Sequence, residues 1–286
     1  LPGPDALLAP EWIPYRDRIQ PGDVGVGDIV PSSLDDTRLV PSVHSLIADE
    51  DLDAMQVFDL GLGRAPGTDH TTVKALRRDP RAAETFAQDV QELQGFLSDT
   101  SRVTDVIATP GRGTNIPLYI LGSSLYGAQL AAVLGLPYAF ASHFAPASLL
   151  DAIRIYRERF TPSLQLDKPY VIASMSVIAA DTEESATAQF ERRKRSFARR
   201  IFGRPGHPLT DEQVDAALLS PQASYLDEVF KYSAIGTAST IKTRLDEFQS
   251  LTNADEIMTA HHADSTPSRI RSIEILAEVA GVLIPQ

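Results

Sequence analysis

The chain has 286 residues, 43% of them hydrophobic and 22% charged, and its 26 basic and 38 acidic residues give a formal net charge of −12. This length allows one large α/β domain or two small ones, and the acidic balance argues against nucleic acid and anionic membranes as partners, because both need a basic surface. Cysteine is absent, which excludes disulfides, thiolate metal sites and cysteine nucleophiles.

The first 55 residues differ from the rest of the chain because they hold seven of its twenty prolines. They suggest two short strands and one helix start, in SLIADEDLDAM at residues 45–55. This segment is too short for three β/α units of about 30 residues each. It lacks the basic segment and apolar run of a secretory signal, and the sequence has no stretch of about 20 apolar residues. We therefore expect an irregular N-terminal part and a cytoplasmic protein.

A regular alternation of strands and helices begins near residue 56. Residues 55–63, MQVFDLGLG, indicate a buried strand, and residues 71–99 carry apolar side chains at helical spacing in two pieces divided by Pro80. The Pro-Gly pair and the close glycines of residues 103–115 indicate a hairpin or a loop. Further strands are predicted at 117–124, 137–144, 169–181 and 254–261, and further helices at 125–135, 145–160, 237–252 and 267–281. Since near-continuous apolar strands alternating with helices are typical of a parallel sheet covered on both faces, the predicted class is α/β.

Residues 182–235 interrupt this alternation and predict a helical insertion. TEESATAQFERRKRSFARRIFG is a charged helix, and TDEQVDAALLS is a shorter helix with Thr210 as its N-cap. The basic side chains of the first helix could form a phosphate-binding patch, but we favour a solvated face paired with nearby acids. These basic side chains are Arg192, Arg193, Lys194, Arg195, Arg199 and Arg200.

Two predicted strand ends carry residues suited to an anion. Ligands of parallel α/β sheets bind at the carboxyl ends of the strands. Gly122, Ser123 and Ser124 stand between a strand and a helix, where backbone N–H groups and hydroxyls can hold a phosphate. In isolation a plain serine N-cap is the favoured interpretation of this stretch. Arg64, at the end of another strand, favours the phosphate site over the plain N-cap, because a guanidinium matches phosphate oxygens bidentately.

The histidines offer weaker signals. His143 follows a strand and is either a structural, hydrogen-bonded residue or a proton donor. His261 and His262, with Asp264, suggest a metal site, but adjacent histidines on a strand point to opposite faces, so no metal is predicted. The sequence contains no GxGxxG, GxxxxGK[ST] or GxSxG pattern, so dinucleotide, P-loop and serine-hydrolase fingerprints are missing.

Several ordered motifs resemble the bacterial-luciferase-like, flavin-dependent monooxygenases over residues 56–281. They are FDLGLGRAPGTD, KALRRDPRAAETFAQDVQEL, PLYILGSSLYGAQLAAVLGLPYAFASHFAP, YRERFTPS and RSIEILAEVAG. The resemblance implies a TIM-type (β/α)8 barrel, reduced FMN from a separate flavin reductase, molecular oxygen, a small organic substrate and a dimer. It also implies that Arg64 and the turn Gly122, Ser123 and Ser124 hold the FMN phosphate. Tyr126 aligns near a further phosphate contact.

The N-terminal part departs from the family pattern. No Glu-His-His-like segment is present, and His44, the only histidine before His70, lacks that context. Catalytic residues of that half cannot be mapped, so His143 stays the catalytic candidate, as a proton donor or a contact to the flavin edge. We expect one barrel domain, irregular or incomplete over residues 1–55. Two alternatives stay open: a non-catalytic flavin-binding or structural subunit of a homodimer or heterodimer, and a binding protein for another phosphorylated ligand.

Overall fold

The computed structural model describes residues 41–43, 58–64, 70–77, 82–103, 105–204 and 207–281. Strands and helices alternate through most of this part of the chain. The strands are β1 (Pro41–Val43), β2 (Phe58–Gly63), β3 (Leu118–Gly122), β4 (Tyr138–Phe140), β5 (Val171–Ala179), β6 (Ser233–Gly236) and β7 (Glu256–His261). The helices are α1 (His70–Ala75), α2 (Ala82–Leu97), α3 (Leu125–Leu134), α4 (Leu149–Arg159), α5 (Glu183–Phe202), α6 (Asp211–Leu218), α7 (Ala223–Val229), α8 (Ala238–Thr252) and α9 (Thr266–Ala280).

The strands form one seven-stranded sheet that is parallel from β2 onward. Strand β1 pairs antiparallel with β2, and β5 pairs with β4, β6 and β7. Ile172 and Ala173 pair with both β4 and β7, and Ser176 and Val177 pair with both β6 and β7, so β4 and β6 share one edge of β5. The predicted α/β class is therefore confirmed. Within the described residues the sheet does not close into a barrel.

Local structure agrees with the sequence predictions except at a few boundaries. The predicted strand at 137–144 ends at Phe140, because the backbone N–H groups of Phe144 and Ala145 turn back to the carbonyl of Ala141. For residues 103–115 the loop alternative is correct in the described part; Asn115 donates its backbone N–H to Leu97 at the end of α2. The predicted helix start at 45–55 and His44 lie outside the described residues. None of the described helices is long and apolar enough to cross a membrane.

Two buried tyrosines connect the elements on one side of the sheet. Tyr138 on β4 and Tyr156 on α4 are fully buried, with ring centroids 5.5 Å apart. The Tyr156 hydroxyl donates to the Leu136 carbonyl at 2.9 Å and accepts from the Tyr170 N–H at 3.1 Å. Tyr138 donates to the Ser124 carbonyl at 3.1 Å, directly before α3. A Cβ on Gly127 would lie 3.3 Å from the Tyr138 ring, so this glycine lets the first turn of α3 approach β4.

The predicted helical insertion is present as α5, α6 and α7 between β5 and β6. Its helices share a small apolar core built around Ala198, Val214 and Leu226. Thr210 begins α6 with a capping box, as its hydroxyl accepts from the Gln213 N–H and the Gln213 side chain accepts from the Thr210 N–H. Most basic side chains of α5 pair with acids, which confirms the solvated, paired face. These pairs are Arg192 with Asp264, Lys194 with Asp227, Arg195 with Asp211 and Asp215, and Arg199 with Asp211.

The Tyr156 hydroxyl gives a test of this packing. Tyr156→Phe leaves the Leu136 carbonyl and the Tyr170 N–H without their buried partner. We expect the free energy of unfolding to fall by about 1–3 kcal/mol, measured by chemical denaturation. Tyr225, which is 51% exposed, supplies the matched control, and Tyr225→Phe should change stability by less than about 0.5 kcal/mol. Equal effects of the two substitutions would contradict the prediction.

Candidate functional site

The ends of β2 and β3 bring an arginine onto the first turn of a helix. Gly63 at the end of β2 pairs with Leu121 of β3, so Arg64 emerges beside the turn that begins α3. Its guanidinium carbon lies 4.0 Å from the centroid of the Tyr126 ring. A guanidinium over an aromatic face is attracted by the electrons of the ring. The ring therefore holds the exposed charge of Arg64 at the N-terminus of α3.

The N-terminus of α3 is not capped by its own serines. Ser124 occupies the N-cap position in an extended conformation, but its side chain makes no capping hydrogen bond. Helices α5, α6 and α9, by contrast, are capped by hydroxyls of Thr182, Thr210 and Ser265. Among the described residues, the hydroxyls of Ser123 and Ser124 have no hydrogen-bond partner, and both residues are exposed. The plain N-cap interpretation is therefore wrong, and first-turn N–H groups and two hydroxyls remain available at this point.

The N-terminus of α8 shows how this chain satisfies a helix end with its own anion. The Glu183 carboxylate accepts hydrogen bonds from the Thr237 N–H at 3.0 Å, the Thr237 hydroxyl at 2.7 Å and the Thr240 hydroxyl at 2.6 Å. These donors, Thr240 first, lower the pKa of Glu183. Gly236 has φ 144°, and a Cβ there would lie 2.7 Å from the same carboxylate. No carboxylate in the described residues takes the equivalent place at α3.

His143 is held in one tautomer beyond the end of β4. Ser174 donates its hydroxyl proton to the Phe140 carbonyl at 3.1 Å, so its oxygen accepts from His143 Nδ1, 2.6 Å away. Nδ1 then carries the ring proton and Nε2 the lone pair. Burial, and then the charge of Arg193, lower the pKa of His143. The ring is therefore neutral near pH 7, and with the proton on Nδ1 it can accept a proton at Nε2.

His261 is the last residue of β7, and His262 lies directly after the strand. His261 is buried, with Nδ1 2.7 Å from the Ser272 hydroxyl of α9. His262 is half-buried, and its pKa is lowered to about 4 by burial first, and then by the charges of Arg193, His143, Arg269 and His261. A search of the described residues finds no group of three or more His, Asp or Glu side chains that could hold a metal ion.

One buried polar side chain on α5 was not singled out from the sequence. Gln189 on α5 is 6% exposed and lies four residues before Arg193, on the same helical face. The available signal was an uncharged polar residue among the inward positions of a strongly charged helix.

A cavity of about 270 Å³ lies elsewhere, between the end of α2 and the loop after it, and is lined by Phe96, Asp99 and Val106 among others. This cavity contains none of the strand-end residues.

Comparisons with known proteins give one consistent family. A luciferase-like monooxygenase family model matches residues 58–254, and a model for a protein of unknown function (DUF3027) matches residues 1–88. Uncharacterized protein YvbT of Bacillus subtilis is 37% identical over 252 residues, which cover 84% of this chain and 74% of YvbT. A luciferase-like monooxygenase of Escherichia coli K12 is 38% identical over 229 residues, which cover 79% of this chain and 68% of that protein.

Solved structures agree with this result. Apo-MsnO8 superposes with a TM-score of 0.65 at 26% identity, covering 79% of this chain and 68% of that chain. The monooxygenase RslO1 from Streptomyces bottropensis gives a TM-score of 0.53 at 15% identity, and the match covers 77% of this chain and 67% of RslO1. At this identity the match shows similarity of fold alone. The predicted resemblance and the predicted fold class, an α/β fold of the luciferase-like TIM-barrel type, are both confirmed.

The lowered pKa of His262 predicts a pH-dependent stability. In the unfolded chain the His262 ring has its ordinary pKa of 6.5, whereas in the folded protein its pKa is about 4. The contribution of His262 to stability is therefore complete above pH 6.5 and is lost as pH falls from 6.5 through 4. Between about pH 7 and pH 5, His262→Gln should lose about 1 kcal/mol less stability than the wild type, allowing for the partial exposure of the ring.

Chemical denaturation at the two pH values, with an NMR titration of the His262 C2 proton, measures this effect. The exposed His207 of the insertion offers a matched control, because His207→Gln also removes one histidine but should leave the pH difference unchanged. A wild-type NMR midpoint for His262 near its ordinary value of 6.5 would refute the prediction.

Proposed function

The chain belongs to the luciferase-like monooxygenase family and is a flavin-dependent oxidoreductase, and from this premise we propose that it uses reduced FMN and molecular oxygen to oxidise a small organic substrate. The observation that carries the choice of FMN is the uncapped N-terminus of α3 beneath Arg64. A phosphorylated flavin has a dianion at one end. This turn offers the groups that bind such an anion.

The residues at the ends of β2 and β3 fit a phosphate. Arg64 provides a planar fork of N–H donors, which suits phosphate oxygens. The first turn of α3 provides backbone N–H groups and the positive end of the helix dipole. Ser123 and Ser124 add hydroxyls with no other partner among the described residues. Gly122 contributes its backbone to this turn, and a Cβ there would lie 3.7 Å from the Cα of Gly127, toward the protein and not toward the ligand.

Tyr126 contributes in a different way from a direct phosphate contact. Its ring lies under the guanidinium of Arg64, at 4.0 Å, and so fixes where that charge points. We assign it the role of positioning residue for Arg64. Its hydroxyl is not required for this role, because the ring face alone attracts the cation.

The chemistry divides between the cofactor and the protein. When bound, reduced FMN supplies the electrons with which molecular oxygen is activated. His143 then serves as a proton acceptor, because its Nδ1 is held by Ser174 and its Nε2 carries the lone pair. The apolar core beneath the strand ends, which includes Ile120, Phe140 and Met175, excludes water from one side of the site.

Several further properties belong to this proposal through the family. Reduced FMN would come from a separate flavin reductase, the active form would be a homodimer or heterodimer, and the protein would act in the cytoplasm. The charge of −12 is compatible with a small anionic ligand, since a local cluster of donors holds it and the overall field does not.

Flavin titration tests the phosphate site. Arg64→Gln removes the charge above Tyr126, and we expect it to weaken FMN binding by about 1–3 kcal/mol, the scale of a charge-assisted hydrogen bond. Quenching of flavin fluorescence measures the affinity for oxidised FMN, and anaerobic titration measures it for reduced FMN. Riboflavin, which lacks the phosphate, should bind both proteins with equal affinity.

Matched variants separate this role from general effects of charge. Arg244, on the exposed surface of α8, pairs only with Glu247 in the described structure, so Arg244→Gln should leave FMN affinity unchanged. Tyr126→Phe keeps the ring face and should bind FMN as the wild type does, whereas Tyr126→Leu should bind it more weakly. Unchanged FMN affinity in Arg64→Gln would remove Arg64 from the site.

Product formation tests catalysis against a non-catalytic subunit. With FMN, NADH, oxygen and an added flavin reductase, we expect oxidised product from at least one member of a panel of long-chain aldehydes and aromatic compounds, detected by mass spectrometry. Consumption of NADH is not informative, because the reductase alone consumes it. His143→Gln should lower product formation by about 10²–10⁴-fold, the usual contribution of a general base, and leave FMN affinity intact. Tight FMN binding without any product would favour the non-catalytic subunit.

A further inference from the structure

Two buried polar atoms on one face of α5 lack partners. Among the described residues, the buried side-chain nitrogen and oxygen atoms without a hydrogen bond are Gln189 Oε1 and Arg193 Nε. The two residues are four positions apart on α5, so their side chains lie on the same face. Gln189 is 6% exposed. Because buried polar groups in folded proteins nearly always have partners, an acceptor and a donor left together indicate that something else binds there.

The charge of Arg193 is also not neutralised. Its neighbours Arg192, Lys194, Arg195 and Arg199 each pair with a carboxylate, whereas no carboxylate of the described residues forms an ion pair with Arg193. Burial and the nearby charge of Arg200 lower the pKa of Arg193, which reflects an unfavourable site for a cation. A guanidinium stays charged at ordinary pH, so an anion is the partner that would offset this cost.

Arg193 interacts with two histidines that follow the strands on the two edges of β5. Its charge acts on His143, which follows β4, and on His262, which follows β7. These four residues, Gln189, Arg193, His143 and His262, are called the Arg193 cluster below. The cluster lies at the ends of β4, β5 and β7, whereas Arg64 lies at the ends of β2 and β3. The chain thus presents two cationic positions along one edge of the sheet.

An aromatic ring stands beside the cluster. Phe144 is 72% exposed, and its ring centroid lies 4.2 Å from that of His143. An exposed ring next to His143, in a cluster that also holds an unpaired guanidinium, suits a ligand with an apolar body and an anionic end. The fork of Arg193 matches a carboxylate, and the free Gln189 oxygen requires a hydroxyl or amino donor.

We propose that the Arg193 cluster binds the carboxylate of a small organic acid that carries a hydroxyl or amino group beside it. This ligand is the substrate class of the reaction, and in that respect the inference rests on the proposed function. Arg193 donates to the carboxylate oxygens, Gln189 accepts from the neighbouring donor, and Phe144 contacts the apolar body. Nε2 of His143 then lies beside the bound acid.

Calorimetric titration of the full-length protein with three probes tests this assignment. Mandelate carries both a carboxylate and an adjacent hydroxyl, mandelamide is its neutral counterpart, and phenylacetate lacks the hydroxyl. We expect the wild type to bind mandelate at least about tenfold more tightly than mandelamide, the scale of one charge-assisted interaction. Arg193→Gln should abolish that preference. Gln189→Leu should make mandelate and phenylacetate bind equally.

Arg200 provides the matched control on the same helix. Both guanidiniums lie against the Phe197 ring, at 5.9 Å for Arg193 and 5.0 Å for Arg200, but only Arg193 acts on the histidines. Arg200→Gln should keep the preference for mandelate. If Arg193→Gln does not fold, Arg193→Lys, which keeps the charge without the planar fork, should bind mandelate several-fold more weakly. Equal binding of mandelate and mandelamide by the wild type, or an unchanged preference in the Arg193 variants, overturns the proposal.

The titrations are made without FMN, so the two proposals fail separately. Arg193→Gln should keep wild-type FMN affinity, because the proposed phosphate contacts are at β2 and β3. If the wild type does not bind FMN, the proposed function is lost, whereas the mandelate preference reports on the Arg193 cluster alone.

Discussion

The parallel pairing of β5 with three other strands is the constraint on which the rest of the structure depends. Its nine residues pair with β4 and β7 in the first half and with β6 and β7 toward the end. Because these strands are parallel, residues distant in sequence emerge at one edge of the sheet. Ser174 holds His143 from within β5, and α5 leaves the end of β5 to carry Arg193 toward the same edge.

Much of the fold follows from the sequence because its signals are local. Apolar runs such as that of β5 predict buried parallel strands, and Thr210 as an N-cap predicts the start of α6. The state of Ser124 could not be predicted, because a serine before a helix is normally its cap, and only tertiary contacts decide where the hydroxyl points. The difference between Arg192 and Arg193 was equally inaccessible, since the partner Asp264 lies far along the chain.

Arg64 and Arg193, neither of which forms an ion pair with a described carboxylate, illustrate how an acidic protein could hold anions. The net charge of −12 describes the distant field, whereas binding is decided within a few ångströms. Arg64 is exposed and held by an aromatic ring, while Arg193 is half-buried and held by the insertion. The first suits a strongly hydrated dianion, and the second suits a less hydrated monoanion. If both proposed sites bind their ligands, the difference in solvation between Arg64 and Arg193 would separate two kinds of anion.

The Glu183 carboxylate has a consequence for how such proteins diversify. Glu183 is the first residue of α5, its partner Thr237 directly follows β6, and its partner Thr240 lies in the first turn of α8, so one side chain connects the start of the insertion to its end. The intervening helices pack around a separate apolar core. A segment rooted at both ends in this way can be lengthened, shortened or exchanged among related chains while the sheet keeps its geometry. The residues that this segment contributes can then change while the strand ends stay where they are.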